Sequence, residues 1–444
     1  MEGNYNSEVT GFPVKKIRIT QTERDYYKLD NAATLFALMN SDRSTNVFRV
    51  SCTLKERINL SDLQKTLERI MQRFPYFQVT LRSGLFWKYW ESTKEIPEIY
   101  AETKFPCQKI AIHTRGIFPF RVKVYFNRIA VEFHHSLTDG YGGITFLKAL
   151  VADYLTRRGV ETNDWGDIFR FNQTPSPIEY DYAYKRYYMK ELPNPKRKSE
   201  AFKPPLTPVE KGVFHIIRGT MSVAKILEVT RRKKVTISEL LTAIYLEALQ
   251  EIYQKLPEEE RKKIKKPIRV AVPVNLRRIF ESETMRNFTY MVSPELKPQL
   301  GKYTFEEILA LVQHAMKKEI ARRPLRQYIT RNVRGELIPI IRIIPLFLKR
   351  LFGEFIYQKM GEKQNSGKMS NLGKINMPKA FAKEIEHFDF ILAPSKIITT
   401  GCAVVSFEDK LVINFSRTVE EPEIEKFFFR RLAQLGIPVK ITTN

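Results

Sequence analysis

With 444 residues the chain exceeds the size at which one hydrophobic core stops growing, so two domains are expected, and 43% hydrophobic residues support sizeable cores. Three distant cysteines, Cys52, Cys107 and Cys402, argue against a disulfide framework and for a reducing, cytoplasmic setting. The net charge of +25 admits nucleic acid, an anionic membrane surface or a phosphorylated co-substrate, but the basic residues are dispersed and no nucleic-acid-binding motif accompanies them, so nucleic acid is set aside.

Residues 1–12 read as a tail without the basic and apolar regions of a signal peptide. Asp30 caps a helix running to about Met39. A strand over residues 46–54 puts Phe48, Val50, Cys52 and Leu54 on one face. A capping box from Ser61 to Gln64 opens a helix with Leu63, Leu67, Ile70 and Met71 at helical spacing, which stops before Pro75. Short strands near 77–82 and 86–91 precede a hairpin, in which residues 121–126 alternate, Asn127-Arg128 turns and residues 129–133 return. Helices among antiparallel strands indicate an α/β sandwich for this half.

The hairpin ends in His134-His135-Ser136-Leu137-Thr138-Asp139-Gly140-Tyr141-Gly142-Gly143, followed by a helix over about residues 143–158 with Gly159 at its C′ position. Two of the six histidines thus stand side by side where a strand gives way to a glycine-rich loop. A neutral imidazole suits removal of a proton from an attacking hydroxyl or amine near neutral pH. A plain polar turn is the bland alternative. His113, His215, His314 and His387 show no metal-ligand spacing with the pair, so no metal site is expected.

Prolines cluster over residues 160–208, around one helix expected over 180–191. The division drawn from this is an N-terminal lobe over 1–175, a connection over 176–208 and a C-terminal lobe over 209–444. That lobe begins with a strand near 213–218, a helix near 223–231 and a long helix over 238–256 with a core stripe at Leu241, Tyr245, Ala248 and Ile252. A buried strand over 268–274 ends in Asn275-Leu276-Arg277, and a helix follows near 305–322. Residues 336–360 are apolar at Ile340, Ile344, Phe347, Leu351 and Phe355 with basic residues between. They fit a core helix, the wall of an apolar tunnel or a face resting on membrane. No apolar stretch is long enough to span a bilayer. The chain closes with a hairpin over 405–417 and a helix over 422–435 that repeat the earlier hairpin and helix, with Ser416 and Arg417 where the histidines stood.

Residues His134, His135, Asp139 and Gly140 resemble the HHxxxDG motif of the acyltransferase superfamily that includes chloramphenicol acetyltransferase, nonribosomal peptide condensation domains and alcohol O-acetyltransferases. The resemblance implies two chloramphenicol acetyltransferase-like α/β sandwich lobes forming a V-shaped pseudo-dimer with a tunnel between them. It implies that His135 is the base and His134 structural, and that Asp139 pairs with an arginine at a strand end, for which Arg277 is the candidate. Ser370-Asn371-Leu372-Gly373 resembles a second signature turn of the family, making Ser370, with Asn371 beside it, a candidate oxyanion donor or tunnel residue. A third family motif, DFGWG, has only a partial counterpart in Asp389-Phe390-Ile391-Leu392. The implied reaction moves an acyl group from acyl-CoA to an alcohol or amine, with no permanently bound cofactor. Alternatives are a condensation enzyme fed by an acyl carrier protein, whose acidity would suit the basic surface, and a catalytically silent protein that binds membranes or acidic partners.

Overall fold

The structure, a computed structural model, describes residues 26–42, 44–338, 343–349, 362–393 and 395–444, and every structural statement below concerns those residues. The expected tail over residues 1–12 lies outside them, as does most of the apolar segment over 336–360.

The N-terminal half contains β1 (Tyr26–Lys28), α1 (Asn31–Leu38), β2 (Val47–Leu54), α2 (Leu60–Arg73), β3 (Val79–Ser83), β4 (Lys88–Ser92), β5 (Ile99–Ala101), β6 (Phe120–Tyr125), β7 (Arg128–His134) and α3 (Gly140–Arg157). Asp30 caps α1 by accepting from Ala33 N at 2.7 Å. The cap of α2 is not the expected Ser61 but Asn59, whose Oδ1 accepts from Asp62 N at 3.0 Å, so the helix starts before the proposed capping box. The β6–β7 turn falls at Phe126-Asn127, because Arg128 pairs with Tyr125, and Phe126 takes the left-handed conformation at φ +49°. α3 packs on β2 and β7, and α2 packs beside α3. There Phe77, Phe120, Phe133 and Phe146 form a ring cluster with centroids 5.5–5.8 Å apart for the pairs Phe120–Phe146, Phe77–Phe146 and Phe133–Phe146.

The helix expected over 180–191 is absent. A 3-10 turn at Pro177–Tyr180 and a single helical turn α4 (Ala183–Arg186) replace it. The tyrosines are drawn to separate partners: Tyr184 donates to Thr289 O and Tyr187 to Glu281 O, both at 2.6 Å. Glu179 is held by Arg73 and Tyr76 at 2.7–2.8 Å. Tertiary contacts override helical propensity here.

The C-terminal half contains β8 (His215–Ser222), α5 (Val223–Lys233), α6 (Ile237–Gln254), α7 (Glu258–Lys263), β9 (Ile268–Asn275), β10 (Thr289–Val292), β11 (Glu295–Leu296), α8 (Phe305–Glu319), α9 (Arg322–Leu337), β12 (Gly367–Lys374), α10 (Lys379–Ala382), β13 (Ile385–Leu392), β14 (Thr400–Phe407), β15 (Lys410–Arg417), α11 (Glu423–Gln434) and β16 (Lys440–Thr443). The long helix α6 is opened by a capping box between Thr236 and Glu239 and buries the expected stripe of Leu241, Tyr245, Ala248 and Ile252. Its sheet runs β10-β9-β12-β14-β15-β8-β16, with β11 also paired to β9. β12 is parallel to both neighbours, while β14, β15 and β8 pair antiparallel.

The N-terminal sheet runs β13-β2-β7-β6-β5, so one of its edge strands comes from residues 385–392. A division at residue 209 therefore needs correction: β13 leaves the C-terminal half to pair antiparallel with β2, Phe390 opposite Val50. Asn414 on β15 holds it by donating to Asp389 Oδ1 at 3.2 Å and Phe390 O at 3.0 Å. The partial DFGWG counterpart is thus a strand bridging the two sheets. Burial raises the Asp389 carboxyl, but hydrogen bonding from His387, the Arg218 charge and Asn414 outweigh it and hold the group down to about 2.

The hairpin repeat is present. β14–β15 turns at Glu408-Asp409, with Glu408 at φ +48°, as β6–β7 turns at Phe126-Asn127, and each hairpin leads into a helix. Where the first copy ends in histidines, Ser416 is buried and donates to Leu392 O. Arg417 meets Glu425 at 3.2 Å.

Candidate active site

Alternation along β7 sends Phe133 into the ring cluster and His134 to the opposite face. His134 is fully buried, and its Nδ1 lies 3.2 Å from Ser136 N and 2.6 Å from Ser136 Oγ. Burial, reinforced by the neighbouring histidines His135 and His113, pushes its pKa down to about 3, so it stays neutral. It braces the turn into the loop.

His135 is only partly covered. Its backbone is tied at both ends: His135 N donates to Asn46 O, and Asn287 Nδ2 donates to His135 O, each at 2.8 Å. Its ring stacks on Phe36 of α1 at 4.9 Å between centroids and leans on Phe48 of β2 at 4.6 Å. Burial pushes the imidazole pKa down to about 4; the Asp139 carboxylate pulls the other way, and the Lys368 charge adds to the depression. The result is an oriented, unprotonated imidazole at neutral pH.

α3 begins at Gly140 rather than Gly143, because Asp139 is its N-cap and its Oδ1 accepts from Tyr141 N at 3.1 Å and Gly142 N at 3.3 Å. The loop glycines serve close approach. A Cβ on Gly142 would lie 2.1 Å from Thr138 Oγ1 and 2.7 Å from Met285 O, and one on Gly143 would lie 2.7 Å from Phe48 Cε2. Gly140 faces Leu372, whose Cδ2 would be 2.7 Å from an added Cβ.

Arg277 meets Asp139 through two nitrogens, Nη1 to Oδ2 at 2.9 Å and Nη2 to Oδ1 at 3.2 Å, and both residues are buried. Arg277 also donates to Thr284 O at 2.7 Å and Arg286 O at 2.5 Å, and its guanidinium lies over the Tyr141 ring at 4.5 Å. Phe288 N donates to Asp139 Oδ2 at 2.9 Å, and Thr138 Oγ1 to Met285 O at 2.5 Å. The histidine loop is therefore fastened to the segment between β9 and β10 of the other half.

Ser370 lies within β12, paired with Ala403, rather than in a turn; the strand becomes irregular only after Asn371, where Gly373 has φ +79°. Asn371 is held on the α6 side of the strand by two hydrogen bonds. Its Nδ2 donates to Ser238 Oγ at 3.1 Å and its Oδ1 accepts from Gly373 N at 2.8 Å. Met369 lies beside Thr242 on that same α6 side, so Ser370 projects from the opposite face with Leu372, the residue that touches Gly140. Phe36, Asn287 and Lys368 escaped the sequence reading. Phe36 stacks on the His135 ring, Asn287 holds its backbone carbonyl and the Lys368 charge acts on it through space, and nothing in their local sequence marks them.

No group of three His, Cys, Asp or Glu residues able to hold a metal occurs among the described residues. A cavity of about 210 Å³ between the two sheets is lined by Arg49, Glu102, Arg128, Arg218 and Asp389 but not by His135.

No protein-family model and no curated protein matches the sequence. Solved structures do match the fold. The trichothecene 15-O-acetyltransferase TRI3 of Fusarium sporotrichioides superposes with a TM-score of 0.57 at 13% identity over 92% of this chain and 94% of its own. TRI101 of F. sporotrichioides, complexed with coenzyme A and T-2, gives 0.59 at 11% identity over 93% and 99%. The starter condensation domain of rhizomide synthetase, in complex with C8-CoA and Leu-SNAC, gives 0.57 at 11% identity over 93% and 94%. These likenesses show that the chain has the fold shared by those two acetyltransferases and that condensation domain.

Proposed function

We propose that the protein is an acyltransferase in which His135 deprotonates an alcohol or amine as it attacks an acyl thioester. The observation that carries this reading is the His135 imidazole: neutral, partly accessible, clamped between Phe36 and Phe48, at the end of a strand whose loop is locked by Asp139 and Arg277. The acceptor oxygen or nitrogen bonds to the thioester carbonyl carbon while His135 takes its proton. The tetrahedral intermediate collapses, the carbon–sulfur bond breaks, and the imidazolium returns the proton to the departing thiolate. Ser370 is the proposed donor to the transient oxyanion. His134 is the structural partner.

Acyl-CoA is the proposed donor, in keeping with the coenzyme A and C8-CoA seen in two of the matched structures. An acyl carrier protein is the second reading for the donor, favoured by the charge of +25. Donor and acceptor would enter a tunnel between two lobes, residues 1–175 and 209–444 joined by 176–208, with β13 exchanged. The intact His135–Asp139 arrangement speaks against a silent binding protein.

The proposed setting is cytoplasmic with peripheral membrane contact and a long apolar acceptor. The tip of the β3–β4 hairpin exposes Leu85 (70%) and Trp87 (58%), and the neighbouring residues 343–349 expose Ile343 (69%) and Phe347 (68%). The two are joined by Leu346 N to Leu85 O at 3.0 Å and by Lys349 Nζ to Phe86 O at 2.6 Å. Phe347 is therefore not the core position that a core helix over 336–360 would make it. No helix among the described residues is long and apolar enough to cross a membrane. The direct test is release of free coenzyme A from acyl-CoA with and without candidate alcohols and amines, in wild type and His135→Ala.

A further inference from the structure

β12 brings a second functional group to the histidine loop. With Met369 and Asn371 turned to α6, Lys368 shares the opposite face with Ser370 and Leu372. Its ammonium crosses to the other sheet and donates to Ala393 O at 2.5 Å. Ala393 N in turn donates to Val47 O at 3.2 Å, and Val47 pairs with His134. Lys368 Nζ is therefore fixed where β13 ends, two strands across the N-terminal sheet from the β7 strand that carries the histidine pair.

An ammonium has three donors, and a single backbone carbonyl accepts from this one in the structure. Among the described residues no carboxylate stands within ion-pair distance of Lys368; Glu362 acts on it only through space. The side chain is partly covered, where a cation without a counter-ion is costly.

We propose that Lys368 recognises a carboxylate carried by one of the two substrates, several atoms away from the group that reacts at His135. This rests on the acyl-transfer reading above and narrows its substrate class.

Two pairs of eight-carbon probes test it by calorimetry: octan-1-ol against 8-hydroxyoctanoate for the acceptor, and octanoyl-CoA against suberyl-CoA for the donor. Wild type is expected to bind the carboxylate member of one pair at least about tenfold tighter. K368M should abolish that preference and K368R should keep it. The pair that responds identifies which substrate carries the carboxylate. If K368M does not fold, K368Q takes its place. Equal binding within both pairs by wild type, or a preference that survives removal of the charge, overturns the proposal. Binding and turnover of octanoyl-CoA without any carboxylate preference overturns the role of Lys368 alone. Failure to bind any thioester overturns the acyl-transfer reading with it.

Discussion

At the scale of single residues, two adjacent imidazoles acquire different tasks from strand alternation. His134 is sealed among buried groups and His135 is left partly open between two phenyl rings. The buried state of His134 has a measurable consequence. An unfolded histidine binds a proton near pH 6.5, whereas burial holds the folded one down to about 3. Between those values the unfolded state binds the extra proton, so the contribution of His134 to stability is present above pH 6.5 and is lost as pH falls through the window, by up to about 1.4 kcal/mol per pH unit. Carboxylates raised by burial, such as Asp30 and Glu425, act oppositely but equally in a variant. The melting temperature of wild type should therefore fall more steeply between pH 6.5 and 4.5 than that of His134→Asn; parallel curves would contradict this. Gly142 and Gly140 offer a second contrast. Gly→Ala inside a helix ordinarily stabilises by about 1 kcal/mol. Gly142→Ala should instead lower the melting temperature, because the new methyl meets the Met285 carbonyl at 2.7 Å, while at Gly140 it meets the movable end of Leu372. If Gly142→Ala melts at or above the Gly140→Ala temperature, the loop is less tightly fitted than the structure shows.

At the scale of elements, the N-terminus of α3 and the end of β9 are joined by Asp139 and Arg277. Removing one member of a buried pair typically costs about 3–5 kcal/mol. Arg277→Met and Asp139→Ala should each lower the unfolding free energy obtained by denaturant titration by such an amount, and the double variant should cost less than the sum of the two. Additive losses would mean that the two side chains act independently. This contact was legible in the sequence only through the family resemblance, since residues 138 positions apart carry no local signal of pairing. Strands and the longer helices were legible because period-2 and period-3.6 patterns are strong where one face is buried. The helix expected at 180–191 was not, because tyrosine hydroxyls and Glu179 are claimed by distant partners. The α2 cap was displaced by two residues because Asn59 competes with Ser61 for the same role.

At the scale of the molecule, the repeated hairpin–helix unit was readable from the chain, but the exchange of β13 was not. An eight-residue strand carries no mark of which sheet it joins, and the choice is made by Asn414, Ser416 and the register with β2. The apolar patch at Leu85, Trp87, Ile343 and Phe347, on a chain of charge +25, predicts sedimentation with anionic vesicles that weakens as salt rises. Trp87→Glu combined with Phe347→Glu should reduce it while leaving coenzyme A release from soluble substrates unchanged. Retention of wild type by neutral and anionic vesicles alike, or by neither, would contradict a basic membrane face.

The central claim is that His135 is the base of an acyl transfer, and the most direct measurement is the rate of acyl-CoA consumption with an accepted alcohol or amine, compared between wild type and His135→Ala at matched folding. The fold keeps the loop locked through Asp139, Arg277 and Asn287 whether or not the imidazole is present. The variant should therefore melt near wild type yet lose at least about a hundredfold in kcat. Turnover within a fewfold of wild type in a folded His135→Ala protein would contradict the mechanism.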